Sequence, residues 1–219
     1  MTHAIDVVTT TDRPGFIAAW TQAMEHLART PGFIAAELFE KERDIRNAHY
    51  DFVGVVTGDA GVHTAQAPFP PGGPHHIERT LCTLSIFLDG TRDNNDGHAW
   101  LINPFEITDA QIPDVLDMWD KAKDHMVAKE GFIDARLFRA TSPTARYGLV
   151  NVAEWRSADL FMAALDDKAY DRHRERSMAY SLHPSLCRRV ASVQPLLGIC
   201  SVVEANTSSQ TSPFARDLL

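Results

Sequence analysis

Apolar positions mark one helix face twice along the chain. In the second half, Val115, Met118, Trp119, Ala122, Met126 and Val127 recur at helical spacing. Asp114 and Asp117 stand toward the N-terminal end of that helix, where negative charge suits the macrodipole. Gly131 ends it as a left-handed residue past the last turn. The same pattern surrounds Trp20. Trp20 and Trp119 are 99 positions apart, and the same offset pairs Ala23 with Ala122, His26 with His125, Gly32 with Gly131, Phe33 with Phe132 and Phe39 with Phe138. The chain therefore reads as two copies of one unit of roughly 100 residues.

Each unit begins β-α-β-β. The expected strands are Ile5–Thr9, Phe33–Phe39 and Tyr50–Thr57 in the first copy, and Ala99–Phe105, Phe132–Arg139 and Tyr147–Trp155 in the second. The second copy continues with a helix at Ser157–Leu165, N-capped by Ser157, and a charged run, DDKAYDRHRERSMAY. His183-Pro184 breaks that run, and Ser185–Val193 forms a last strand. This is the ferredoxin-like order β-α-β-β-α-β, an α+β class. In the first copy Pro68, Pro70, Pro71, Gly72, Gly73 and Pro74 replace the second helix by a loop, and Ile77–Leu88 supplies the last strand. The loop over 66–74 reads either as a lid or as a plain connection.

The organisation is thus a first repeat over 1–88, a linker Asp89–Gly97, a second repeat over 98–204 and a polar tail over 205–219. Helices cover one face of each sheet and leave the other needing a partner. Tandem ferredoxin-like repeats satisfy each other by forming a dimeric-type α/β barrel within one chain. The expected state is a pseudo-dimeric monomer, with a homodimer of tandem chains as the alternative.

Charge narrows the partners. Lys plus Arg number 21 against 29 Asp plus Glu, a net charge of −8 over 219 residues. Such a surface repels phosphate backbones, so no nucleic-acid partner is expected. The longest apolar runs, near Pro195–Val203 and Leu84–Leu88, are too short to span a bilayer, and no signal peptide is visible, so the expectation is no membrane and a cytoplasmic location. Cys82, Cys187 and Cys200 are unpaired in spacing and read as reduced, buried thiols.

Four segments of the second repeat carry a family resemblance: INPFEI at 102–107, MVAKEGFIDARLFRA at 126–140, LVNVAEWRSADLFMAAL at 149–165 and HPSLCRRV at 183–190. With them, residues Trp100 to Val193 resemble an antibiotic biosynthesis monooxygenase domain; the first repeat resembles it weakly. The resemblance implies a barrel of ferredoxin-like units and, in its polyketide oxygenases, an Asn and a Trp on the third strand. NVAEW places Asn151 and Trp155 there. Alternation along a strand puts Asn151, Ala153 and Trp155 on one face, a strip of roughly 13 Å on which a planar aromatic substrate could lie. Trp155 would stack or donate its N–H, and Asn151 would bond a phenolic or quinone oxygen. The alternative is core packing for Trp155 and a satisfied interior polar group for Asn151. The first repeat has Gly54 and Gly58 at these positions, so one working pocket is expected, in the second repeat.

O₂ reacts poorly with singlet organic molecules unless the substrate is deprotonated and gives up an electron itself. That chemistry needs a base, donors for the anion and a dry pocket. His183 is the proposed catalytic base beside Asn151 and Trp155, with His173 as its rival. Arg174 and Arg176 are candidate anion binders, opposed by a solvated-face reading of RHRER; Tyr170 and Asn103 complete the substrate-binding set, and Tyr180 is weaker. His63, His75 and His76 lack a carboxylate at triad spacing, so no metal is expected. The haem-degrading branch would need a Trp where Ala164 stands and a His where Arg174 stands.

The resemblance implies an oxygenase of secondary metabolism that uses O₂ to insert oxygen into, or cleave a ring of, an anthrone- or angucycline-type polyketide. It would hold no tight cofactor; reduced flavin (FMNH₂ or FADH₂) would serve as a dissociable reductant where one is needed. A non-catalytic binding or cyclase-like pathway protein and a small-quinol monooxygenase are the alternatives.

Overall fold

The computed structural model describes residues 1–65, 73–91, 97–168 and 175–195. The first repeat comprises β1 (Thr2–Thr10), α1 (Arg13–Leu27), β2 (Ala35–Asp44), β3 (Phe52–Gly58), α2 (Ala60–Ala65) and β4 (His75–Asp89). The second comprises β5 (Ala99–Glu106), α3 (Ile112–Val127), β6 (Phe132–Ala140), β7 (Leu149–Trp155), α4 (Ala158–Leu165), β8 (Ser181–Leu182) and β9 (Ser185–Val193). The expected Ser157 cap is present, and α1 has one as well. Asp12 caps α1 by accepting from Gly15 N at 3.0 Å, and Ser157 caps α4 by accepting from Leu160 N at 3.2 Å. The expected glycine stops are corrected: α1 ends at Leu27 and α3 at Val127 with right-handed Ala28 and Ala128 as C-caps, and Gly32 and Gly131, at φ +87° and +88°, turn the chain toward β2 and β6 instead.

The proline-rich segment is corrected as well. The segment after β3 is not wholly a loop: Ala60–Ala65 form a short helix, and Asp59 Oδ1 accepts from Val62 N at 3.1 Å. The prolines begin at Pro68, too late to forbid that turn. Of the stretch read as a lid or a plain connection, residues 66–72 lie outside the described residues, as do the tail and Cys200.

Within each repeat the strands order as the ferredoxin-like pattern demands: β4-β1-β3-β2 and β9-β5-β7-β6. The two sheets then join edge to edge. β4 pairs antiparallel with β6, and β2 with β9, so the eight long strands close into a barrel and β8 extends β5. Closure leaves these long strands no unpaired edge.

Residues alternate between the barrel interior and the helical layer. Ile5, Val53, Val55, Ile102, Val150 and Val152 form part of the interior core. Tyr50 reaches across it, its hydroxyl 2.7 Å from Ser185 Oγ of the other repeat. Cys82 and Cys187 are free and buried inside, and burial pushes both thiols up to about 12. On the outside, α1 packs Phe16, Trp20 and Met24 onto the first repeat's sheet, while α3 and α4 cover the second's. Glu37 of β2 receives Arg136 of β6 and Arg189 of β9, each at 2.9 Å. Burial raises the Glu37 carboxyl, but the two guanidinia outweigh it and hold the group ionised below its ordinary value.

Candidate functional site

Between the second sheet and its two helices lies a cavity of about 370 Å³, within the usual range of about 300–1,000 Å³ for small-molecule sites. Strand alternation supplies its floor: Leu101, Asn103 and Phe105 from β5, and Asn151 from β7. Helical periodicity supplies one wall, with Met118, Trp119, Ala122 and Met126 on one face of α3. Phe161, Met162 and Leu165 of α4 form another. Methionines adapt to irregular flat ligands because their thioether chains are unbranched and polarisable.

Asn151 sits at the floor. It is 7% exposed, and its Oδ1 has no hydrogen-bond partner among the described residues. Such a buried polar atom costs about 1–3 kcal/mol when left unmade. Across the strand pair stands Asn103, whose Oδ1 accepts from the backbone N of His183 at 3.0 Å. Asn103 is thus held in place, and Asn151 is free to take a ligand.

Trp155 shares the face, as alternation requires, but it borders a smaller void of about 80 Å³ that adjoins the cavity through Asn151, Leu101 and Trp119. Phe132 and Phe161 pack edge-on against it at 5.5 and 5.4 Å between centroids. Its Nε1 is buried without a hydrogen-bond partner among the described residues.

The other anticipated residues scatter. His183 does not face the cavity: Leu182 and Pro184 line it, and the intervening side chain points the opposite way. Its Nδ1 lies 2.9 Å from Asn47 O and its Nε2 3.0 Å from Glu106 Oε2. The expected placement of His183 beside the substrate is corrected accordingly. Arg176 is corrected too: it pairs with Asp117 at 2.9 Å on the outer side of α3, as a solvated face would. Tyr170, His173 and Arg174 lie outside the described residues. Tyr180 contributes only its carbonyl, 3.5 Å from Arg46 Nη2.

Sequence reasoning missed a whole wall. Arg43, Asp44, Ile45 and Arg46 belong to the first repeat, yet they line the second repeat's cavity. The β2–β9 pairing carries them there, and Ile45 N and Arg46 N both donate to Pro184 O, at 3.1 and 3.2 Å. Burial lowers the Arg46 guanidinium from its ordinary value, and its Nη2 also reaches Ser177 O at 3.4 Å. The first repeat is therefore more than scaffold. No helix among the described residues is long and apolar enough to cross a membrane.

No protein-family model matches the chain, and no curated protein does. Solved structures do. An anthrone oxidase-like protein superposes with a TM-score of 0.67 at 11% identity, over 89% of this chain and 93% of that one. A provisionally named monooxygenase of Fusobacterium nucleatum gives 0.58 at 8% identity, over 88% and 93%. Another of Lactobacillus acidophilus gives 0.55 at 9%, over 89% and 97%. Both repeats are covered in each match. The fold of this chain is that of the monooxygenase-like α+β barrels, with both ferredoxin-like halves on one polypeptide.

Proposed function

We propose that the chain is an oxygenase that takes a planar, electron-rich polycyclic phenol of anthrone or angucycline type into the cavity of the second repeat. The observation that carries this reading is Asn151 Oδ1, buried without a hydrogen-bond partner among the described residues at the floor of a methionine-lined cavity, where it can accept from a phenolic hydroxyl. The fold likeness to an anthrone oxidase-like protein supports it. The substrate's ring lies between the sheet and Met118 and Met126, and Asn151 bonds its oxygen. Arg46 at the wall favours the ionised form. The phenolate or carbanion then gives one electron to O₂, and the radical pair joins as a carbon–oxygen bond. With an anthrone, the methylene carbon loses two hydrogens and gains one oxygen, and the second oxygen atom leaves as water. Insertion into other positions, or ring cleavage, takes two further electrons from reduced flavin supplied in solution. Arg43 and Arg46 at the cavity wall suit a dissociable anionic flavin by charge.

The test is oxygen uptake with an anthrone, with and without FMNH₂. Asn151→Ala should lower kcat/KM by about tenfold, the loss expected for one buried hydrogen bond to the substrate; unchanged turnover in that variant overturns the site. A second reading has one observation behind it: no imidazole lines the cavity among the described residues, and Asp44 is its one carboxylate there. A binding or cyclase-like protein would hold the same ligand without consuming oxygen.

A further inference from the structure

Away from the cavity, on the other side of the His183 backbone, three ligating side chains meet. His49 comes from the β2–β3 loop of the first repeat, Glu106 from the end of β5 and His183 from the turn before β9. One ligand atom of each lies within 4.8 Å of the other two. Both imidazoles are oriented by the same backbone carbonyl. His183 Nδ1 lies 2.9 Å from Asn47 O, and His49 Nδ1 lies 3.3 Å from it. Each Nδ1 can donate to that carbonyl, which leaves Nε2 of both rings to the trio; His183 Nε2, 3.0 Å from Glu106 Oε2, gives up the proton it shares with that carboxylate when it ligates an ion. The two rings stand edge-on to one another, at 84° with centroids 4.4 Å apart. Asn47 is the one non-glycine described residue with positive φ, +53°. Asparagine tolerates that conformation better than most residues. It aims the shared carbonyl at both rings.

Two imidazole Nε2 atoms, a carboxylate and outer-shell carbonyl acceptors on Nδ1 are the parts of a divalent-cation site. Arg146 fills the cation's place in this arrangement, its guanidinium 3.3 Å from His49 Nε2 and 3.2 Å from Glu106 Oε1, and the Tyr147 hydroxyl also meets His49 Nε2, at 3.1 Å. Its side chain is 39% exposed and can swing to solvent. We propose that His49, Glu106 and His183 form a labile, solvent-accessible site for a borderline divalent cation such as Zn²⁺, with Arg146 as a built-in competitor.

The site pins the first repeat's β2–β3 loop to two elements of the second. That loop follows directly on Ile45 and Arg46, which wall the cavity, so the bound ion staples the cavity's wall to its floor. The spacing of residues 49, 106 and 183 gave no hint of this trio; only barrel closure brings them together.

The test is isothermal titration of the chelator-stripped full chain with ZnCl₂, with thermal unfolding measured in parallel. Expected are saturation at one ion per chain and a rise in Tm. His49→Ala and, separately, Glu106→Gln should each weaken binding at least tenfold and remove the Tm rise, whereas Arg146→Ala should tighten it. Glu106→Gln preserves size at a half-exposed position, so it remains informative where His49→Ala disturbs the loop. Absence of saturable binding in the wild type overturns the proposal. So does binding that both His49→Ala and Glu106→Gln leave intact, since the ion would then sit elsewhere.

Discussion

The same tryptophan does opposite things in the two repeats. Trp20 is fully buried and lies flat on β3, because Gly54 beneath it has no side chain; a Cβ there would stand 3.0 Å from Trp20 Nε1. Trp119 occupies the matching position on α3, but Asn151 stands where Gly54 would be, and the indole lines a cavity instead. One strand turn later, Val62 fills the space over Gly58, with its Cβ 2.8 Å from where a glycine substituent would project, while Trp155 occupies the second repeat's position. The neighbouring polar site differs as well. Asp6, opposite Gly54, is gripped by Arg79 at 2.7 and 2.8 Å; Asn103, opposite Asn151, holds only a backbone N–H. One repeat has spent its polar positions on closing the layer, and the other leaves an amide open beneath it.

Five substitutions would break or sharpen this contrast. The largest effect is expected from Arg79→Ala, which strands Asp6, 1% exposed, without its partner. Removing one member of a buried pair costs about 3–5 kcal/mol, and the 26% exposure of the Arg79 side chain places this case at the lower end; urea unfolding would read it. Gly54→Asn should come next, at about 1–3 kcal/mol, by wedging Trp20 off the sheet. Adding Trp20→Ala to Gly54→Asn should recover part of that loss and open a second ligand space, visible as binding of a hydrophobic dye. Asn151→Leu should act in the opposite sense. It removes an unpaired buried amide, raising stability by about 1 kcal/mol, and it should abolish ligand binding by equilibrium dialysis. A less stable Asn151→Leu protein would mean the amide is satisfied as it stands.

The smallest effect concerns acid. His3 stands on β1 where Trp100 stands on β5, each opposite a buried cysteine across the strand pair. Burial first, and then Arg136, His63 and the N-terminus, lower the His3 imidazole to about 4 from 6.5. Its folded value is depressed, so the neutral ring's contribution is present above pH 6.5 and is lost progressively as pH falls toward 4. His3→Gln should flatten that window in a Tm-versus-pH series; an unchanged slope would assign the acid sensitivity elsewhere.

Much of this was legible in the sequence because it rests on period and punctuation. Trp20 and Trp119, with Gly32 and Gly131 behind them, announced the duplication, and helical and strand spacing then placed Asn151, Ala153 and Trp155 on one face. The short helix α2 was hidden because the proline run beyond it dominated the segment, while its own Asp59 signal was a single residue. His183 was misplaced by proximity: neighbours Leu182 and Pro184 do line the cavity, and alternation sends the histidine away. Arg43 and Arg46 carried no signal at all, because their reach into the second repeat follows from β2 pairing with β9 across the seam, which no local pattern encodes. The same blindness covered His49 and Glu106.

The seams at β2–β9 and β4–β6 are also a statement about dilution. Two separate chains that met along such edges would part as their concentration fell, and unlike halves would have to find each other among copies of themselves. Here the encounter is intramolecular, so its effective concentration is fixed by the connection and not by how much protein is present. A half that has filled its own pocket is thereby guaranteed a partner that has not, at a ratio of one to one.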